Sequence, residues 1–138
     1  MNLKNITADK LVALYKKRDL SVAEVITSAF DEIERNDRNV HAFLALCKDR
    51  ALEEARRIDM KIAAGEPLGP LSGVPLAIKD NMALRDMPTT CGSKVLEGYV
   101  PPYTATTVER LRGAGAIVVG KTNLDEFAMG SSNENSAF

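Results

Sequence analysis

The chain has 138 residues, of which 45% are hydrophobic and 27% are charged, a balance that is ordinary for one globular domain. Its formal net charge of −1 excludes the basic field of an autonomous nucleic-acid-binding domain, but not a subunit whose partner holds the nucleic acid. No apolar run approaches the roughly 18 residues that cross a membrane, and the N-terminus lacks the apolar core of a signal peptide, so we expect a cytoplasmic protein without membrane contact.

The first half of the chain has the apolar spacing of three amphipathic helices. Thr7 is expected to cap the first helix through its side chain. Ser21 and Glu24 form a capping box at the start of the second helix, and the polar run 36–39 is expected to end it. Gly65 supplies a left-handed stop after the third. The predicted helices cover about residues 7–18, 21–35 and 49–63.

Two apolar stretches predict strands, one between the second and third helices and one after the third helix. Residues 40–46 alternate imperfectly, whereas residues 74–78 are typical of a buried strand, in which Pro75 is allowed only near the start or on an edge. Lys79 follows directly, at the end of the strand where open α/β sheets bind ligands. A lone lysine usually marks only the place where a strand reaches water. The alternative is a desolvated Lys79 that accepts a proton, and the residues alone leave both interpretations open.

The second half of the chain predicts a helix followed by a strand. Residues 106–109 form another capping box, for a helix that ends at Gly113. The uninterrupted branched run 116–119 predicts a buried parallel strand. Residues 120–123 are expected to turn the chain into a short helix that runs to about Met129. Such alternation of helix and strand indicates an α/β sheet covered by helices.

Residues 115–122 fit the G-x-x-x-x-G-K-T pattern of a phosphate-binding loop, but their context contradicts that interpretation. Such a loop follows a strand and bends so that its N–H groups converge on phosphate. Here the four residues between the glycines are themselves strand-forming, and a helix end precedes Gly115. We therefore expect no nucleotide binding by this segment.

The remaining reactive side chains form weak patterns. Cys47 and Cys91 lie far apart without a C-x-x-C motif, so we expect two reduced thiols. The single histidine, His41, offers no zinc-ligand spacing with them, so no metal site is expected. Cys91 paired with His41 is a poor nucleophile–base candidate because neither has an orienting third group nearby in sequence. The hydroxyl-rich loop 88–93 is typical of an ordinary turn.

Several longer motifs together resemble the amidase signature family. They are GVPLAIKDN at 73–81, TCGS at 90–93, the helix with its glycine stop at 106–115, and VGKTNLDEFAMGSS at 119–132. The match extends over the whole chain and is far more specific than any one short motif. The final run, 124–138, is most similar to one branch of the family, the glutamine-hydrolysing subunits of tRNA-dependent amidotransferases.

The resemblance implies an α/β fold, namely the N-terminal part of the amidase signature fold, with a mixed sheet covered by helices and an N-terminal helical segment. Residues 1–138 are then the N-terminal part of a single, incomplete amidase domain, because the two catalytic serines of the family fall beyond Phe138. Strands supplied by later sequence in the family are missing as well, so open sheet edges are expected.

The resemblance also implies roles for four residues. Lys79 matches the family's lysine, which takes the proton of the serine nucleophile through a bridging serine, and this implies that Lys79 is buried and neutral. Met129, Gly130 and Ser131 match the segment that helps to line the glutamine pocket. Without the serines, we expect the isolated chain to be inactive toward glutamine.

The implied activity belongs to a complex. The glutaminase subunit releases ammonia from glutamine for a partner subunit, which uses ATP and magnesium to activate Glu-tRNA(Gln), so that Gln-tRNA(Gln) is made for translation. The partners implied are the B and C subunits of a heterotrimer, and no cofactor is expected in this chain itself. Two alternatives stay open: a general amidase that acts on small or aryl amides, and a non-catalytic fragment that only binds a partner.

Overall fold

The structure, a computed structural model, describes residues 5–138. Within that range the chain forms four helices, three strands and two single 3₁₀ turns, as the α/β prediction requires. In chain order they are α1 Ala8–Lys17, α2 Val22–Val40, β1 Phe43–Leu46, α3 Lys48–Ala63, β2 Pro75–Lys79, a 3₁₀ turn at Lys94–Leu96, α4 Thr106–Gly113, β3 Ile117–Thr122 and a 3₁₀ turn at Glu126–Ala128.

Helix α2 begins where the sequence predicts and ends later. The capping box of Ser21 and Glu24 is present, and the Asp59 carboxylate of α3 accepts hydrogen bonds from the backbone N–H groups of Val22 and Ala23, at 2.7 and 3.0 Å. The prediction that residues 36–39 break the helix is wrong. They continue the helix to Val40, and within it the side chain of Asn36 donates to the carbonyl and carboxylate oxygens of Glu32 one turn earlier.

Of the two remaining predicted caps, one is at its predicted position and one is wrong. Thr7 occupies the N-cap position of α1 as predicted, although its side chain makes no capping hydrogen bond to the helix. Thr106 is the first residue of α4 rather than its cap, and the N-cap residue is Ala105, which has no side-chain hydrogen-bonding group. The 106–109 pattern is therefore displaced by one residue from a capping box, and α4 depends on tertiary packing for its N-terminus.

The sheet is mixed, in the strand order β1-β3-β2, with β3 at the centre. β3 pairs antiparallel with β1 and parallel with β2, which confirms the prediction of a parallel strand at 116–119. The strand is longer than predicted because Gly120, Lys121 and Thr122 extend it instead of turning the chain. Pro75 is tolerated because it begins β2 on the sheet's edge.

Both faces of β3 are covered. Ile117 and Val119 pack against the helical layer, and Val118 packs on the opposite face with Ile78 and Val108 of α4. This alternation explains why an uninterrupted branched run suits the central strand. The residues of the helical layer in that first cluster are Leu11, Tyr15, Val22, Val25, Ile26, Phe30, Ala51 and Ala55. Among residues 5–138 no helix is both long and apolar enough to cross a membrane.

The turn before β2 permits a close approach that only glycine allows. Gly73 has a φ of +76°, and a Cβ there would lie 2.8 Å from the γ-methyl groups of Val22 and 2.9 Å from the ring of Tyr15. Gly65 has nearly the same φ, +73°, but nothing within 4 Å. A side chain at Gly65 would therefore meet backbone strain alone, whereas a side chain at Gly73 would meet the same strain together with crowding. The two positions form a matched pair for substitution.

We expect Gly73→Ala to destabilise the chain more than Gly65→Ala. Both variants lose about 1–2 kcal/mol to a left-handed alanine, and Gly73→Ala adds about 1–3 kcal/mol of overpacking against Val22 and Tyr15. Urea unfolding of the two variants and the parent gives the free energies directly. Equal losses would show that the core beneath Gly73 rearranges without cost.

Candidate functional site

The carboxyl ends of the two parallel strands meet at one edge of the sheet. Lys79, the last residue of β2, pairs directly with Thr122, the last residue of β3. The loop 88–93 lies across this edge, since the backbone N–H of Cys91 donates to the carbonyl of Asp80 at 3.2 Å. The segment after β3 closes over that loop through a 2.8 Å hydrogen bond from Phe127 N–H to the Cys91 carbonyl. Three segments distant in sequence thus converge where ligands bind in such sheets.

Lys79 lies at this convergence but is exposed. The expectation that its side chain is buried is therefore wrong for residues 5–138. The physical reason is the strand order: β2 is an edge strand that pairs only with β3 in the described chain, and no described strand covers its outer edge. The catalytic role expected for Lys79 stays a prediction.

Among the lysines of residues 5–138, the buried one is Lys121. Its ammonium is fully enclosed and lies 2.7 Å from the carboxylate of Asp80, which is also buried. The other two ammonium donors go to Thr89 Oγ1 at 2.9 Å and to the Pro88 carbonyl at 3.1 Å. All three N–H bonds of the ammonium are used, so the charge is tolerated inside the protein.

Asp80 is satisfied on its other oxygen by the loop. The backbone N–H and the hydroxyl of Thr90 donate to Asp80 Oδ2 at 2.8 and 2.6 Å. The hydroxyl-rich loop that sequence reasoning took for an ordinary turn is therefore attached to the strand ends by a buried ion pair. Lys121 is thus a strand residue whose three ammonium donors are already bound to protein oxygens.

Asp125 organises the segment that holds the predicted pocket residues. Its carboxylate accepts hydrogen bonds from the backbone N–H groups of Ser132, Asn133 and Asn135, at 3.2, 3.0 and 3.1 Å. A Cβ on Gly130 would lie 2.6 Å from Asp125 Oδ2, so the loop can wrap this closely only with glycine at that position. The carboxylate acts as the centre around which the loop 130–135 folds.

The predicted pocket residues Met129, Gly130 and Ser131 are all exposed, and 74% of Met129 is open to solvent. Lys79 pairs with Thr122, and Asp125, which holds this loop, follows shortly after Thr122 in the chain. The N–H donors of Asn133 and Asn135 are the largest causes that lower the pKa of Asp125, and the positive charge of Lys79 lowers it further. The structure thus brings the predicted base and the predicted pocket segment to one edge of the sheet. Their functional roles stay predictions.

The lowered pKa of Asp125 makes the loop sensitive to acid. Because the folded chain favours the carboxylate, its stabilising effect is complete above the ordinary carboxyl pKa of about 3.9 and is lost as the pH falls through the lower folded value. We expect the N–H groups of Ser132, Asn133 and Asn135 to lose protection from hydrogen exchange as the pH falls through the lowered pKa of Asp125.

The matching substitution acts at neutral pH. Asp125→Asn offers one acceptor oxygen where the carboxylate offers two, and we expect about a tenfold loss of protection at these N–H groups. Glu134→Gln is the control, because Glu134 is an exposed carboxylate of the same loop. A loss of similar size in both variants would mean that overall charge, rather than the Asp125 hydrogen bonds, orders the loop.

The thiol of Cys91 is poorly suited to nucleophilic chemistry. Burial raises its pKa, the carboxylate of Asp80 raises it further, and Lys121 opposes them only in part. A raised pKa disfavours the reactive thiolate. Both cysteines are free thiols, and no group of three His, Cys, Asp or Glu side chains within the described range could hold a metal ion.

Sequence reasoning missed Asp80, Lys121 and Asp125 as organisers of this site. It assigned no role to Asp80 or Asp125, and it placed Lys121 in a turn. A usable signal was present for the first two: opposite charges at the ends of two parallel strands are brought to one edge. Asp125 gives no comparable signal, because its partners are backbone N–H groups.

Comparison with known proteins adds a family match. A family model described as Amidase matches residues 24–138. The chain is 57% identical over 132 residues to the A subunit of glutamyl-tRNA(Gln) amidotransferase from Acidothermus cellulolyticus, covering 96% of this chain and 26% of that protein. It is 51% identical over 138 residues to the protein of the same name from Heliobacterium modesticaldum, covering 100% of this chain and 28% of that protein. The chain thus spans about a quarter of the length of these relatives.

Solved structures show the same backbone. Native peptide amidase from Stenotrophomonas maltophilia superimposes with a TM-score of 0.83 at 36% identity, over 90% of this chain and 26% of that chain. A bacterial aryl acylamidase of the amidase signature family gives a TM-score of 0.82 at 30% identity, over 88% of this chain and 26% of that chain. These similarities confirm the predicted fold class.

Proposed function

The chain belongs to the amidase family, and from that premise we propose that it forms the N-terminal part of the glutaminase (A) subunit of a glutamyl-tRNA(Gln) amidotransferase. The observation that carries the proposal is the 57% identity to a protein of that name over 96% of the chain. The peptide amidase and the aryl acylamidase of known structure are only 36% and 30% identical over a similar stretch.

In the proposed subunit, Lys79 is the general base and Met129, Gly130 and Ser131 line the glutamine pocket. Support comes from the pairing of Lys79 with Thr122 at the carboxyl edge of the sheet and from Asp125, shortly after Thr122, whose carboxylate holds the pocket loop. The nucleophilic and bridging serines come from sequence after Phe138, so residues 1–138 are one incomplete part of an amidase domain. That later sequence also covers the open edge of β2, which buries Lys79 and favours its neutral form.

The proposed chemistry is acyl transfer. The neutral amine of Lys79 takes a proton, through the bridging serine, from the serine that attacks the carboxamide carbon of glutamine. The C–N bond then breaks, ammonia leaves with a proton returned along the same path, and water hydrolyses the acyl-enzyme to glutamate. The ammonia passes to the B subunit, which with ATP and magnesium converts Glu-tRNA(Gln) to Gln-tRNA(Gln), and the C subunit completes the heterotrimer in the cytoplasm.

A panel of amides tests the proposal. The gene that encodes this chain is expressed at full length with the B and C subunits, and ammonia release is measured from glutamine, asparagine, a C-terminal peptide amide and an anilide. We expect glutamine to be preferred, and release to rise when Glu-tRNA(Gln) and ATP are present. The isolated 138-residue chain is expected to release no ammonia, and release from it would contradict the roles given to the later serines.

A general amidase is the second candidate. The backbone superimposes closely on a peptide amidase and on an aryl acylamidase. The fold of these residues therefore does not distinguish one amide substrate from another. Preference for the anilide or the peptide amide in the same panel, with no response to tRNA, would favour this candidate.

A further inference from the structure

We propose that Asp80 and Lys121 form a positioning pair that sets the register of β2 against β3 and so aims Lys79 at the site. The inference rests on the proposed function, because it assumes that Lys79 is the base. It concerns two residues with no direct part in the chemistry. Neither can act as the base, since both are buried and every donor of Lys121 is occupied.

The register of β2 needs an anchor because the ladder beside it is irregular. Leu76 pairs with Val118, but Ala77 pairs with Gly120, so β3 advances two residues while β2 advances one. β2 has only five residues, and β3 is its only partner among the described strands. A slip by one residue in such a strand turns every side chain to the opposite face. Lys79 would then point away from the site.

The ion pair holds the strand just beyond this irregularity. Asp80 follows Lys79 and points inward, so attaching its carboxylate to Lys121 leaves Lys79 on the outer side. Two backbone hydrogen bonds complete the anchor: Asp80 N–H donates to the Thr122 carbonyl at 3.0 Å, and Met82 N–H donates to the Lys79 carbonyl at 3.0 Å. The backbone is held on both sides of the predicted base.

The pair also attaches the loop 88–93 to the strand ends. Thr89 and Thr90 contact opposite members of the pair, one through Lys121 and one through Asp80. Because the Cys91 carbonyl accepts from Phe127 N–H, the loop in turn supports the segment that leads to Met129. One buried ion pair therefore links the three segments that converge at the site.

Stability alone is a poor reason for such a pair. Taking two charges out of water costs several kcal/mol per ion, and well-packed apolar residues often serve a core equally well. The need to fix the register of β2 accounts for the ion pair better, because an ion pair is directional and both Asp80 and Lys121 have all of their hydrogen bonds. The described residues include no buried side-chain N or O atom without a partner, so the network has no open position.

The experiment uses the full-length subunit in its complex and separates kcat from KM for glutamine. We expect Lys121→Met to lower kcat by about 100-fold per folded molecule, because a base misplaced by about 1 Å loses that much, while KM changes less than about threefold. Val118→Ala is the matched control: it shortens a buried β3 side chain without touching a polar group, and it should lower stability with kcat unchanged. Equal kcat values for Lys121→Met and Val118→Ala would overturn the proposal.

Two milder substitutions, both at Thr90, keep the test decisive if Lys121→Met does not fold. Thr90→Val removes the hydroxyl that donates to Asp80 and accepts from the Gly92 N–H, and we expect kcat to fall up to about tenfold at unchanged KM. Thr90→Ser retains the hydroxyl and should restore kcat. Identical kcat values for the two Thr90 variants would reject the positioning role.

Failure of this inference is distinguishable from failure of the proposed function. Lys79→Ala is measured alongside the other variants. If Lys79→Ala abolishes turnover while the Lys121 and Thr90 variants behave like Val118→Ala, only the positioning role is wrong. If Lys79→Ala retains turnover, the proposed function is wrong in its assignment of the base.

Discussion

Replacing Lys79 with alanine in the full-length subunit is expected to lower kcat for glutamine hydrolysis by about 10²- to 10⁴-fold, the usual contribution of a general base. The amine is the proton acceptor for the serine nucleophile, and alanine offers no replacement. KM should change little, because the pocket segment 129–131 is attached through Asp125 and not through Lys79. Ammonia release at several glutamine concentrations gives both constants.

Two further variants sharpen this result. Lys79→Arg keeps a positive charge but cannot lose its proton at working pH, so we expect it to be as inactive as alanine. Lys16→Ala removes an exposed lysine on α1, far along the chain from the strand ends, and should leave kcat unchanged. An active Lys79→Arg variant would mean that the site needs a cation and not a base.

The second large effect is on stability. Lys121→Met leaves the Asp80 carboxylate buried without its cation, and breaking a buried pair in this way costs about 3–5 kcal/mol. Asp80→Asn instead leaves the Lys121 ammonium buried without its carboxylate partner, and we expect it to lower the free energy of unfolding by a similar amount. Urea unfolding of each variant, with the parent chain as reference, measures the free energy of unfolding.

The double variant Asp80→Asn with Lys121→Met separates the two contributions to that cost. It removes both charges at once, so we expect it to lose less stability than the sum of the two single variants, by about 1–3 kcal/mol. Additive losses would show that the two charges do not stabilise each other in the folded chain. Recovery of stability without recovery of kcat in the full-length subunit would match the positioning role of the pair.

Local sequence patterns predict the start of α2 but not its end. The capping box of Ser21 and Glu24 was predictable because its partners are three residues apart. The end of α2 was not, because the helix continues through residues 36–39 and closes at His41 with a φ of +54°. There the Asp37 carboxylate accepts from the N–H groups of Ala42 and Phe43, contacts that exist only once the chain has turned toward β1.

Residue patterns alone were enough to establish the α/β class, the four helices, the strand character of 74–78 and 116–119, and the position of Lys79 at a strand end. Periodicity and short-range capping carry that information. Which lysine is buried became clear only in the folded chain. Burial of a charge depends on its partner, and the partner of Lys121 lies 41 residues away, just beyond the end of another strand. The same reason hid Asp125, whose carboxylate is held by N–H groups of a loop that no residue pattern specifies.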